Sequence, residues 1–169
     1  MLSQERIAAT AVEGLKEYGL VERKEWQSVL QKGEPSSAIV IERLDRPNNF
    51  YSLVPFVRGR GVVAYVSVDA RSGDYLQSAL LPNVKSQFIS REQALKLVIN
   101  KRIELGNKRG RLHVREGAVC MYPHLVWRPC VESLSPYFPV HLFTIGRFRL
   151  YVRVDGAIFA SLTLGQPGI

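Results

Sequence analysis

"YVSVDA" at residues 65–70 returns as "YVRVDG" at residues 151–156, and each run leads into an Asp-led turn. Sliding the chain by 86 residues lays Tyr65, Val66, Val68 and Asp69 on Tyr151, Val152, Val154 and Asp155. The same offset places Tyr51 on Tyr137, Val54 on Val140, Ala8 on Ala94 and Val12 on Val98, so one ungapped register runs from a helix to a hairpin. That pattern describes a unit used twice, over 1–86 and 87–169.

The character of the matched segments agrees. Ile7, Ala8, Ala11, Val12 and Leu15 recur at the spacing of an amphipathic helix. The segment "ISREQALKLVINKRIELG" opens with Ser90 and Gln93, a capping-box pair, carries Ala94, Leu97 and Val98 on its apolar face, and is expected to run on to Gly106. After each helix come runs rich in β-branched and aromatic residues, bounded by Gly, Pro, Asn and Asp. In the first unit these are 38–44, 51–57, 61–69 and 75–81; in the second, 111–115, 118–128, 139–145, 148–155 and 157–163. Asp155-Gly156 reads as a two-residue hairpin turn. The expectation is an α+β protein of two repeated units, each a helix packed on an antiparallel meander of about four strands. "VERKEWQSVLQK" has no counterpart and reads as a short extra helix near 21–32, with Trp26, Val29 and Leu30 buried.

"ISREQALKLV", "VSVDARSGDY" and "YVRVDGAIFASL" together resemble the PepSY group, whose units have a cystatin-like helix-plus-sheet form. The resemblance spans nearly the whole chain. It implies a non-catalytic module that binds peptides or proteins and regulates or restrains a peptidase or another partner.

The totals fit one domain or two small ones: 169 residues, 46% hydrophobic and 22% charged. The amino-terminal stretch lacks the pattern of a secretory signal, and no run has the roughly 18 apolar residues of a membrane span. A cytoplasmic protein without a membrane partner is expected. The formal charge of +8 favours acidic partners or nucleic acid without choosing between them.

The richest local candidate is "LVWRPCVESLSPYFPV", residues 125–140. With "LDRPNNFYSL" it shares an Arg-Pro pair ahead of a tyrosine, at 46–47 and 128–129. Trp, Arg and Tyr dominate binding hot spots, so Arg46, Asn48, Trp127, Arg128, Glu132 and Tyr137 are the candidate partner-binding residues. An exposed sheet edge offers a second route, by strand addition, and also a path to self-association. Cys130 near Arg128, with His124 or His141 as base, is a minor enzymatic alternative. The three histidines, His113, His124 and His141, lack metal-ligand spacing, and Asp69 and Asp155 read as turn residues. No metal or cofactor is expected. The alternative to peptide binding is nonspecific nucleic-acid binding through 101–115, by Lys101, Arg102, Lys108, Arg109, Arg111 and Arg115.

Overall fold

The computed structural model describes residues 2–85, 88–105, 110–119 and 123–165. It is α+β, and it divides into two compact units: Met1–Glu42 with Asn48–Gln87, and Arg43–Pro47 with Phe88–Ile169.

In the first unit α1 (Gln4–Glu17) starts where the Ser3 side chain accepts from the Arg6 amide, and buries Ile7, Ala11, Gly14 and Leu15. A 3-10 turn at Leu20–Glu22 leads to α2 (Lys24–Lys32), which buries Trp26 and Val29. There follow β1 (Glu34–Pro35), β2 (Ile39–Arg43), β3 (Phe50–Arg58), β4 (Gly61–Asp69) and β5 (Tyr75–Lys85). β3 pairs antiparallel with β2 and β4, β4 with β5, and β1 with the far end of β3. α1 packs on β3, β4 and β5, and its buried side chains meet Val54, Phe56, Val66 and Val68. Each large apolar side chain so buried contributes roughly 1.5–3 kcal/mol.

In the second unit α3 (Arg91–Val98) begins with the capping box, the Ser90 hydroxyl accepting from the Gln93 amide at 3.2 Å and the Gln93 side chain accepting from the Ser90 amide at 2.7 Å. A small hairpin follows, β6 (Arg102–Glu104) with β7 (Arg111–His113). Then β8 (His124–Trp127), β9 (Val140–Ile145), β10 (Phe148–Arg153) and β11 (Ile158–Phe159) pair antiparallel in order. Ala94 and Val98 of α3 join Phe143, Ile145, Leu150 and Val152 in the core of this unit.

Several expectations change. The second helix ends at Val98, well short of Gly106. Ile99 is extended, Asn100 sits at φ 58°, and the chain turns into β6, with the Asn100 amide bonding Val114 O and the Val114 amide bonding Lys101 O. β-branched Val98 and Ile99 weaken the helix just where these bonds draw the backbone away. Among the described residues of the strand expected over 118–128, only His124–Trp127 is strand, and Cys120 lies outside the described residues. The hairpin joining β10 to β11 has three loop residues, because the Arg153 amide bonds Ala157 O and only Gly156 takes a positive φ, 96°. Asp155 instead uses its carboxylate, on the Arg153 side chain and the Ala157 amide.

The register of the internal match also slips. At the 86-residue offset the strand positions agree in burial, Tyr65 with Tyr151 and Val66 with Val152. In the helices the N-caps Ser3 and Ser90, and the buried pairs Ile7 with Ala94 and Ala11 with Val98, lie 87 residues apart. Ala8 and Val12, the partners expected from the ungapped register, are only half-buried. A helix buries one face, so a one-residue shift rotates a different set of side chains inward.

Candidate functional site

The β9–β10 hairpin turns through Gly146 and Arg147, with Gly146 at φ 55° in the first turn position, where a side chain is disfavoured. Facing pairs run from Phe148 with Ile145 to Arg153 with Val140. In an antiparallel ladder the backbone groups of successive residues point to alternate sides. Since the Arg153 amide reaches outward to Ala157 O, the amides of Tyr151 and Arg149 point outward too. β11 meets β10 only at Tyr151 and Val152. The backbone N–H and C=O of Arg149 therefore face a strand position that is unfilled among the described residues.

The chain after β11 is drawn off by another partner. The Thr163 amide donates to Glu132 Oε2 at 2.8 Å, and Thr163 O accepts from the Val131 amide at 3.2 Å. Had β11 continued in register, Ser161 would lie opposite Arg149 and Thr163 opposite Arg147. Instead a groove of about 500 Å³ opens there, lined among others by Leu105, Arg147, Phe148, Arg149, Ser161 and Leu162. Arg147 and Arg149 are exposed, and Phe148 is half-buried. Sequence reading did not single out these two arginines; their signal was the alternation of Arg147 and Arg149 around Phe148 at a turn glycine, Gly146.

Of the residues chosen from sequence, Trp127 is 5% exposed, with the Arg43 guanidinium 4.9 Å from its ring centre. Arg43 in turn grips Asp45 through two bonds, at 3.0 and 2.6 Å. Burial pushes the Asp45 carboxyl up, but the Arg43 bonds and charge outweigh it and hold the group below its usual range. Arg46 is exposed, 4.0 Å from Asp45. Asn48, in the first unit, is exposed at φ 56°, a turn conformation asparagine tolerates. Arg128 is half-buried, and its carbonyl accepts from the Ser133 hydroxyl. Glu132 is committed to Thr163, and its carbonyl accepts from Arg153 Nη1 at 2.7 Å. Tyr137 is half-buried, its amide donating to the Ser135 hydroxyl. On the same connection Val131 and Leu134 are 61% and 55% exposed, and Leu134 holds φ 57°.

Cys130 is a buried free cysteine. His141 is buried, with Nε2 3.1 Å from Ile89 O. The Asp69 carboxylate accepts from the Arg71 and Ser72 amides, a turn role. Lys101, Arg102, Arg111 and Arg115 are all exposed, and Arg111 pairs with Glu104 at 3.1 Å. Lys108 and Arg109 lie outside the described residues. Among the described residues no group of three or more His, Cys, Asp or Glu is placed to hold a metal, and no helix is long and apolar enough to cross a membrane.

In the first unit a smaller slot of about 280 Å³ lies between α1 and the start of β5, beside Tyr18 and Tyr75, whose rings stack at 4.7 Å. Comparison with protein-family models, with curated proteins and with solved structures returns no match.

Proposed function

We propose that this chain is a non-catalytic peptide- or protein-binding module made of two PepSY-like units, 1–86 and 87–169, each a helix on an antiparallel meander. The one-residue helix slip is compatible with two copies that diverged by a single insertion or deletion. A cytoplasmic setting belongs to the proposal, and so does regulation of a peptidase or another partner, which rests on the resemblance alone.

The observation that carries the reading is the unfilled strand position beside Arg149. A backbone N–H and C=O offered side by side next to a groove match an extended peptide, which gains main-chain hydrogen bonds by strand addition. Selection from a random-peptide display library, with the full chain as bait, tests it. Enriched peptides should slow exchange of the Arg149 amide. Failure to enrich any peptide removes the reading.

The two connections offer a second route, through Arg46 and Asn48 in one and Trp127, Arg128, Glu132 and Tyr137 in the other. Exposed Val131 and Leu134 favour it, since Leu134 stays at positive φ with little burial in return. Under this route, Arg46→Ala and Arg128→Ala abolish binding of the enriched peptides while Arg149 exchange is unaffected by them.

Nucleic-acid binding is the alternative, favoured by four basic residues exposed among the described residues between 101 and 115. It requires an affinity that falls steeply with salt and weakens for all sequences alike when Lys108, Arg109 and Arg111 are neutralised.

A further inference from the structure

The open edge of β10 is chemically biased. Arg153, at its far end, is committed to Asp155 at 2.9 Å. Arg147 and Arg149 have no carboxylate partner among the described residues, and the Arg147 guanidinium rests 5.2 Å from the centre of the Phe148 ring. Two uncompensated cations thus border the unfilled strand position.

We infer that the groove takes an acidic extended segment, in which two carboxylates at alternate positions flank one apolar residue. The inference rests on the peptide-binding reading above. Directly opposed residues of paired strands share a face. A carboxylate opposite Arg149 therefore lies on the Arg149 face, and the residue two positions along comes level with the turn, where the Arg147 guanidinium, against the Phe148 ring, borders the edge. The residue between them projects to the other face, toward Phe148 and Leu105. Groove size agrees: strand rise, strand spacing and sheet thickness give about 160 Å³ per extended residue, so about 500 Å³ holds roughly three. Three residues of β10, Phe148 to Leu150, lack β11 as a neighbour.

A polyanion such as nucleic acid would satisfy the guanidiniums but not the edge. Phosphates accept hydrogen bonds and cannot donate to the Arg149 carbonyl, whereas a peptide supplies a donor and an acceptor at the required spacing.

The test uses the full chain and three peptide pools: acetyl-Xaa-Glu-Xaa-Glu-Xaa-amide with apolar Xaa, the same pool with Gln for Glu, and the Glu pool N-methylated at its central residues. An oligothymidylate serves as the polyanion control. Affinity is read by competition, and site by exchange of the Arg149 amide. The Glu pool should bind and protect that amide, and N-methylation should abolish protection. Each Glu-to-Gln change should cost roughly three- to tenfold in affinity, as should Arg147→Gln and Arg149→Gln, both at exposed positions where folding is unaffected. Equal protection by the Glu and Gln pools overturns the acidic preference and leaves strand addition standing. If no pool protects Arg149, strand addition at this edge fails as well. Binding of oligothymidylate that is lost in Arg149→Gln, with no binding of the Glu pool, assigns the arginines to phosphate and overturns the inference.

Discussion

The Glu132 carboxylate accepts the Thr163 amide at 2.8 Å, and this bond bears on a strand edge to which neither residue belongs. With Val131 it holds the chain after β11 away from β10, so the position opposite Arg149 stays unfilled among the described residues. Burial pushes the Glu132 carboxyl up, and the bonds from Thr163 more than offset it, leaving the group below its usual range. Its stabilisation is therefore complete above the unfolded carboxyl value, about 4.3, and is lost as pH falls toward the lower folded value.

Glu132→Ala should release Thr163 and let Ser161 take the vacant register. A hydrogen bond to a charged group contributes roughly 1.5–3 kcal/mol, less than the total stability of a typical domain, so the fold should survive. In the free variant the Arg149 amide should exchange more slowly, and peptide affinity should fall because the edge is occupied by the chain itself. If Glu132 acts instead as a direct contact, affinity falls with no change in Arg149 exchange in the free protein.

Arg43 joins a fork on Asp45 to a stack on Trp127. Lysine keeps the charge but loses the planar fork and the stacking. Arg43→Lys should cost about 1–2 kcal/mol in denaturant unfolding, with a change in Trp127 emission. A variant that unfolds like the parent would show that the pair is a surface contact without energetic consequence.

Gly14 sits inside α1, where alanine is favoured by about 1 kcal/mol on propensity alone. A Cβ there would lie 2.6 Å from Tyr75 Cβ, so α1 must lift from β5 or Tyr75 must leave its stack on Tyr18. Overpacking of this kind costs roughly 1–3 kcal/mol and wins. Gly14→Ala should lower the denaturation midpoint, and Gly14→Ala with Tyr75→Ala should recover part of the loss.

Most strands were legible because β-branched and aromatic residues carry their own signal, as in "GVVAYVSVD" and "FRLYVR", but the runs read as strands at 118–128 and 157–163 overshoot His124–Trp127 and Ile158–Phe159. The second helix was overrun because Gly106 reads as a closing glycine, and the bonds that turn the chain into β6 come from Val114, remote in sequence. Trp127 was chosen as a contact residue by type, yet it is 5% exposed, with the Arg43 guanidinium, 84 positions away in sequence, 4.9 Å from its ring centre. An open edge was expected, but its place on β10 was not readable. It exists because of where β11 stops, and that is decided by Glu132 and Val131 acting on Thr163.

His141 makes stability depend on pH in a defined direction. Ile89 O accepts from Nε2, so Nδ1 is the bare nitrogen, and it has no hydrogen-bond partner among the described residues. Burial, the largest influence, pushes the imidazole below its usual 6.5; Arg91 adds to this, while the Ile89 bond and Glu92 oppose it. Protonation would place a new N–H at Nδ1 with nothing to receive it. Below pH 6.5 the unfolded chain therefore binds a proton that the folded chain refuses, so this group's contribution is constant above about pH 7.5 and declines as pH falls toward the folded value. The slope cannot exceed about 1.4 kcal/mol per pH unit for one such group. His141→Gln keeps a donor for Ile89 O and removes the titration. Denaturant unfolding of both proteins between pH 8 and 5 should show the parent losing stability relative to the variant below pH 6.5. Parallel curves would mean that His141 takes up its proton in the folded state as readily as in the unfolded one.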